Sequence, residues 1–276
     1  ISKVVVAIKD PDSRVDGLGI KRLRAAGVRV VENICKEEAL NIMQGFFNVC
    51  GLSRPYVTLK FGMSIDSRIA TFNGKSKWIT GDDARRSVHL LRAKNDAVLT
   101  GIGTLLHDDP KLDCRLPGLE HHSPSRMLVD SKLRIPVTSH FALTAKNHHS
   151  YVFTTEKSNV AKKDILTDMG IKILQVPCSL DGHVSMPRCF ELMAEEGITT
   201  VLIEAGGYLA SGLLKSDLVD KLVIYRAPMI IGGDGIAAWH PLGVEQLYMS
   251  KKFAIQNIER IGSDIKETYI RCMEAL

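Results

Sequence analysis

The chain has 276 residues, 45% of them hydrophobic and 24% charged, which is the balance of a folded globular protein and not of a disordered one. Its formal charge of +5 is mild and dispersed among acidic residues, so it suits an anionic small molecule and excludes a long nucleic-acid track. No apolar run approaches the roughly 18 residues of a membrane span. Six scattered cysteines, Cys35, Cys50, Cys114, Cys178, Cys189 and Cys272, in a chain too large to need stapling, read as free thiols of a reducing, cytoplasmic setting.

In chain order, Lys3–Ile8 reads as a strand, Gly17–Ala26 as a helix ended by Gly27, Val28–Val31 as a strand and Lys36–Val49 as a helix. Ile1 enters the first strand directly, so the sequence is expected to be a fragment or a processed chain. The stretch from Cys50 to Pro55 is rich in turn formers and marks a boundary. Beyond it, strands are expected near 56–61, 96–100, 126–129, 150–154, 171–175 and 199–203, with helices near 82–93, 157–169, 187–196 and 207–215. That alternation implies a largely parallel sheet. Lys221–Arg226, Gln246–Gln256 and Ile265–Arg271 then read as strands joined by turns, giving antiparallel pairs at one sheet edge.

Three places carry chemistry. In the helix after Thr80, Ala84, Val88 and Leu91 share one face while Arg85, His89 and Arg92 share another, a stripe able to hold a phosphate or simply to face water. The strand Asn95–Thr100 runs into Gly101-Ile102-Gly103, but Leu106 stands where a dinucleotide fingerprint has its third glycine, so the full motif fails. What remains is a tight turn followed by Thr104 and Asp108, whose side chains suit a ribose or a nicotinamide amide, or an ordinary strand-to-helix turn. The strand Thr200–Ile203 ends in Glu204-Ala205-Gly206-Gly207 and leads into a helix. Two glycines and a helix N-terminus suit a diphosphate, although Gly-Gly at such a junction is also common without one. Glu204, at the strand's end, suits a sugar hydroxyl or a pyrimidine N–H.

Other patterns are set aside. Asn73-Gly74-Lys75-Ser76 looks like the end of a P-loop, but Ile69 replaces its first glycine. Pro177-Cys178 and Pro187-Arg188-Cys189 lack the preceding His-x-Glu of a zinc deaminase, so no metal site is expected. The pairs His121-His122 and His148-His149 read as surface residues.

Taken together, Lys60–Ala70, Ser76–Gly81, Arg92, Thr104–Arg115, Val129-Asp130-Ser131, Glu204–Gly212, and Ala227-Pro228 with Gly232-Gly233-Asp234-Gly235 resemble the reductase domain of the bifunctional riboflavin-biosynthesis deaminase/reductase. Residues 1–53, with Asp10-Pro11, Gly17-Leu18-Gly19, Leu23–Val28 and Asn41–Phe47, resemble the end of that protein's deaminase domain, without its zinc motifs. The resemblance implies a cytidine-deaminase-like βαβα remnant over 1–53 and a dihydrofolate-reductase-like α/β domain over 54–276, its mostly parallel sheet flanked by helices and closed by antiparallel C-terminal strands. It implies NADPH-dependent reduction of the ribosyl group of 5-amino-6-(5-phosphoribosylamino)uracil to the ribityl form, with zinc confined to the deaminase half; separately, the edge strands after Lys221 could pair two subunits as a homodimer in a cytoplasmic setting. Residue by residue it puts substrate contacts at Ser76, Arg92, Leu112, Arg115 and Glu204. It puts NADP contacts at Gly62, Trp78, Thr104, Asp108, Ser131 and Gly206, Gly207, Tyr208, Leu209, Ala210, Ser211 and Gly212. Lys60, Asp66 and Glu204 are expected to orient or polarise the sugar. Ser67 departs from the family's glycine after the aspartate. Two further readings stay open: a reductase acting on another pterin or pyrimidine, and a nucleotide-binding module without turnover.

Overall fold

The computed structural model describes residues 1–179 and 181–272. They form two compact units, one of Ile1–Tyr56 with Phe190–Thr199, the other of Val57–Cys189 with Thr200 onward. In the first unit β1 (Lys3–Val6), α1 (Leu18–Ala25), β2 (Arg29–Glu32) and α2 (Lys36–Leu52) follow in order. β1 and β2 pair in parallel, Lys3 opposite Arg29 through Val6 opposite Glu32. Gly27, at φ +77°, ends α1 in the left-handed conformation that only glycine adopts without strain. α2 runs through the expected boundary as far as Leu52 and stops at Ser53.

The second unit contains β3 (Tyr56–Ser64), β4 (Arg68–Ala70), α3 (Asp82–Ala93), β5 (Ala97–Gly101), α4 (Ile102–Asp108), β6 (Ser125–Val129), α5 (His140–Leu143), β7 (Ser150–Thr155), α6 (Val160–Asp168) and β8 (Ile171–Val176). Then come α7 (Met186–Glu195), which runs on into the first unit, β9 (Thr200–Ile203), α8 (Gly207–Lys215), β10 (Lys221–Ala227), β11 (Ile236–Ala237), β12 (Phe253–Ile261) and β13 (Asp264–Arg271). Nine strands make one sheet in the order β12-β13-β10-β3-β9-β5-β6-β7-β8. The pairs β10/β3, β9/β5, β5/β6, β6/β7 and β7/β8 are parallel, whereas β13 is antiparallel to both β10 and β12. This is the expected α/β architecture with an antiparallel C-terminal edge. Consecutive buried residues in β5 (Ala97–Thr100) and β9 (Val201–Ile203) show strands covered on both faces, which is why they read as near-continuous apolar runs, while Val57, Leu59, Phe61 and Met63 bury one face of β3.

One strand lies elsewhere than expected. Of Gln246–Gln256, only the last residues are extended: Leu247–Met249 is a short 3-10 turn and β12 begins at Phe253. The hairpin decides this, because Ile261 pairs with Asp264 across Gly262-Ser263, and Gly262 at φ +60° supplies the two-residue turn that fixes the register. α4 and the small ribbon of β4 with β11 are additional elements. Among the described residues no helix is long and apolar enough to cross a membrane.

Candidate active site

Three charged side chains converge at the end of β9. Glu204 follows the last residue of that strand, its N–H bonding Leu99 O of β5 at 2.9 Å while Thr100 Oγ1 donates to its carbonyl at 2.7 Å. Arg92 of α3 grips the Glu204 carboxylate with both arms of its fork, Nε to Oε1 at 2.6 Å and Nη2 to Oε2 at 3.1 Å. Lys60 Nζ of β3 stands 3.7 Å from Oε2. All three side chains are less than a fifth exposed. Burial alone pushes the Glu204 carboxyl up, but Arg92 and Lys60 outweigh it and hold the group at about 2. The Lys60 ammonium is pushed down, first by burial and also by Arg92, against the pull of Glu204.

Arg92 was expected on a basic stripe with Arg85 and His89. It is instead buried with Ala84 and Val88, and the stripe divides into three separate jobs. Arg85 lies over the Trp78 ring at 4.4 Å. His89 is held low by burial and by Arg92 and Arg115, and its Nδ1 lies 3.2 Å from both the Arg115 main-chain nitrogen and Asp113 O. Arg92 spends three of its five N–H groups on Glu204 and on Asp113 O, the latter at 2.9 Å. It therefore positions Glu204 and the 113 carbonyl, with little left over to bind a phosphate.

Arg115 is half-exposed and reaches Asp113 and His89. Leu112 is buried in the core with Leu105, Leu128 and Phe141, so only its main chain is available to a substrate. Its φ of +59° turns the backbone at that point.

On the other side of the turn, Thr104 Oγ1 of α4 accepts the Gly206 N–H at 3.2 Å. α8 starts there without a side-chain cap, so its first-turn N–H groups and positive dipole end are available to an anion. Gly207 is required by close packing, since a Cβ there would sit 2.8 Å from Ala238 O. Tyr208 is exposed and bonds His183 Nε2 at 3.2 Å. Ala210 and Ser211 are buried, and Ser211 Oγ accepts the His240 N–H. With Gly212 they belong to the second turn of α8, leaving Gly206, Gly207, Tyr208 and Leu209 as the part that a ligand can meet. Ser131, after β6, accepts from Val184 N through Oγ and from Thr155 Oγ1 through its carbonyl, leaving its hydroxyl proton to donate. Trp78 is two-thirds exposed. Gly62 lies beside Thr80, where a Cβ would make an ordinary 3.4 Å contact with Thr80 Cγ2. Ser76 is half-buried in the loop before Trp78, and Asp108 closes α4 beside His107 at 3.1 Å. The uncapped α8 amides and the Thr104 and Ser131 hydroxyls are polar groups of the kind that a dinucleotide can take.

Asp66 does not join Lys60 and Glu204. Its carboxylate takes Ser64 Oγ at 2.6 Å and the Ile231 and Gly232 N–H groups at 3.2 and 2.8 Å, and these bonds hold it down at about 2. It ties the turn after β3 to the 231–232 segment. Ser67, next in the chain, sits at φ +59°, the conformation that a glycine would adopt freely.

Sequence reasoning missed Asp113 and Arg126. Asp113 lies within the block that was read, but its burial beside Arg115 and Arg92 depends on the fold. Arg126 had a signal: it is a charged residue directly before the apolar run Met127–Val129 of β6. Among the described residues, no cluster of three His, Cys, Asp or Glu side chains could hold a metal ion.

Residues 55–266 match the family model described as the RibD C-terminal domain. The riboflavin biosynthesis protein RibD of Actinobacillus pleuropneumoniae is 34% identical over 98% of this chain and 71% of its own length, and that of Escherichia coli is 32% identical over 96% and 73%. The structure superposes on Acinetobacter baumannii RibD with a TM-score of 0.86 at 30% identity, covering 99% of this chain and 73% of that one. A Thermotoga maritima protein described as a diaminohydroxyphosphoribosylaminopyrimidine deaminase/5-amino-6-(5-phosphoribosylamino)uracil reductase gives 0.81 at 28% identity, covering 99% and 72%. The chain belongs to the RibD family, with residues 55–266 as its C-terminal reductase domain.

Proposed function

We propose that this chain reduces the ribosyl group of 5-amino-6-(5-phosphoribosylamino)uracil to the ribityl form at the expense of NADPH. The observation that carries the reading is the buried Lys60–Glu204–Arg92 network, placed two residues before the uncapped N-terminus of α8. Opening the ribosylamine ring gives an imine at the first carbon of the sugar and a hydroxyl where the ring oxygen was. Reduction then needs a hydride at that carbon and a proton at the adjoining nitrogen. NADPH would supply the hydride when bound, and Thr104, Ser131, Trp78, Gly62, Asp108 and the Gly206–Leu209 turn are the residues that would hold it.

The chain's own residues supply alignment and the proton. Glu204, ionised and fixed by two cations, accepts sugar hydroxyls or a pyrimidine N–H. Lys60, its ammonium pushed down by burial and standing 3.7 Å from Glu204 without the fork that commits Arg92, delivers the proton to the nitrogen. Arg115, with Ser76 and the Leu112 main chain, faces the phosphorylated end. Half-exposed Arg115 offers a guanidinium fork that suits a phosphate and disfavours a neutral pterin. Orientation does most of the work, and no nucleophile is required.

Residues 1–53, which carry the parallel β1/β2 pair, are read as the C-terminal part of a deaminase domain on the resemblance of their sequence. Zinc chemistry in such a protein would belong to that half. The outer strand β12 exposes Ile255 and Ile258, an edge that a second copy in a cytoplasmic homodimer would cover; sedimentation equilibrium that returns only monomer would remove the dimer. The function is tested by following NADPH absorbance on addition of the deaminated ribosylaminopyrimidine phosphate. Oxidation in step with ribityl product is expected; tight binding of both ligands without oxidation would leave only a binding module.

A further inference from the structure

Arg126, in the second position of β6, is fully buried, and every acceptor it meets is neutral. Nε and Nη2 donate to Ser150 Oγ at 3.2 and 2.8 Å, and Nη2 also donates to Phe141 O at 3.1 Å. Nη1 donates to Thr144 Oγ1 at 2.8 Å and to Lys111 O at 3.4 Å. The guanidinium also lies 4.8 Å from the Phe141 ring centroid. Both hydroxyls are turned for this task, since Ser150 Oγ gives its own proton to His148 O and Thr144 Oγ1 gives its proton to His140 O. Burial lowers the guanidinium to about 10, and the one carboxylate that acts against this is Asp113. Asp113 Oδ1 is buried without a hydrogen-bond partner, 3.2 Å from Arg115 Nη1.

A buried cation without a bonded carboxylate costs stability, so its retention calls for a return elsewhere. Lys111 and Asp113 lie on either side of Leu112, in the segment that carries Arg115. The start of that segment is held from the same side, because the Asp109 carboxylate accepts both the His140 N–H at 2.9 Å and His140 Nδ1 at 2.7 Å. Its end is held by Ser123 Oγ, which accepts the Cys114 N–H at 3.0 Å. Both Asp109 and Leu112 are at positive φ, so the segment keeps a conformation that its own backbone does not favour.

We propose that Arg126 is a positioning residue for the reductase reaction: through the Lys111 carbonyl and its charge beside Asp113 it fixes the 109–115 segment so that the Leu112 main chain and Arg115 meet the phosphorylated end of the substrate. This rests on the substrate reading given above. Arg126 touches no reacting group itself, and the dinucleotide side of the crevice lies outside its reach.

Arg126→Lys keeps the charge and loses the fork; Thr144→Val removes one acceptor from the half-buried end of the arrangement and leaves the cation in place. With active wild-type enzyme as reference, Arg126→Lys is expected to raise KM for the phosphorylated substrate about tenfold while KM for NADPH stays within about twofold. Hydrogen–deuterium exchange should quicken at the amides of residues 111–115. Thr144→Val should move both readouts the same way by less. A lowered melting temperature with unchanged substrate KM and unchanged exchange at 111–115 would make Arg126 a core residue only and overturn the proposal. If Arg126→Lys does not fold, Thr144→Val decides by the same two readouts. Failure of the wild type to oxidise NADPH with this substrate would sink the substrate reading instead, and the exchange measurement would still report whether Arg126 holds the segment.

Discussion

Replacing Glu204 by Gln tests the centre of the site most directly. The substitution keeps the volume and one acceptor oxygen, but it removes the charge that Arg92 grips at 2.6 and 3.1 Å and that Lys60 faces at 3.7 Å. Both cations are then left in a mostly buried position with only neutral acceptors, the retained amide oxygen and, for Arg92, Asp113 O. Removing one partner of a buried pair costs about 3–5 kcal/mol, and the retained amide oxygen puts this case near about 3. For a domain of this size that corresponds to a melting temperature lower by roughly 6–12 °C. The sign of the pH dependence follows from the depressed carboxyl. Its stabilisation is complete above the unfolded value of 4.5 and disappears as pH falls through about 2, so wild type and variant should converge in acid. Urea unfolding at several pH values, read as midpoint shifts at constant slope, measures this. Equal midpoints at neutral pH would refute the buried-network argument, and a gap that widens in acid would refute the assigned sign. Adding Arg92→Met to Glu204→Gln should restore part of the lost stability without restoring turnover, because it removes the stranded cation.

Three further outcomes are expected. Lys60→Ala should lower kcat by about 10²-fold or more while NADPH still binds, and in the wild type the rate should fall with rising pH at a value below 10.5, since the donor is protonated only below its lowered pKa; an alkaline limb that survives in Lys60→Ala would exclude it as donor. Ser67→Gly relieves about 1 kcal/mol of backbone strain and gives back about half of that as unfolded-state entropy, so the midpoint should rise slightly; a fall would mean that the contact between Ser67 Oγ and Arg226, at 3.5 Å, outweighs the strain. Gly207→Ala places a methyl 2.8 Å from Ala238 O and should cost about 1–3 kcal/mol with a raised KM for NADPH; a stable variant with unchanged KM would show that the turn is not the cofactor cradle.

Strand and helix periodicity made nearly the whole sheet legible, because its central strands are buried on both faces and its helices are amphipathic. The site was legible by residue type but not by how each residue works. Leu112 and Arg92 show why. A leucine in a polar loop gives no sign that its side chain enters the core and its backbone does the facing. An arginine on a helix lies within one residue's rotation of either the solvent or the buried stripe, and here the long-range partner Glu204 settles the matter. Asp66 had the composition of a catalytic carboxylate, yet its oxygens are taken by Ser64 and the 231–232 amides, which only the chain's return at β11 brings near. What local sequence did carry is the link between the two halves of the site. Glu204 and Gly206 are two residues apart, and both are braced by β5 and α4: Thr100 bonds the Glu204 carbonyl and Thr104 bonds the Gly206 N–H. On the proposed reading, one strand-to-helix turn would set the carboxylate against the sugar and the helix N-terminus against the diphosphate, at a spacing that the covalent chain fixes. A hydride transfer that depends on alignment more than on acid strength is served by that rigidity, since neither ligand subsite can drift without moving the other.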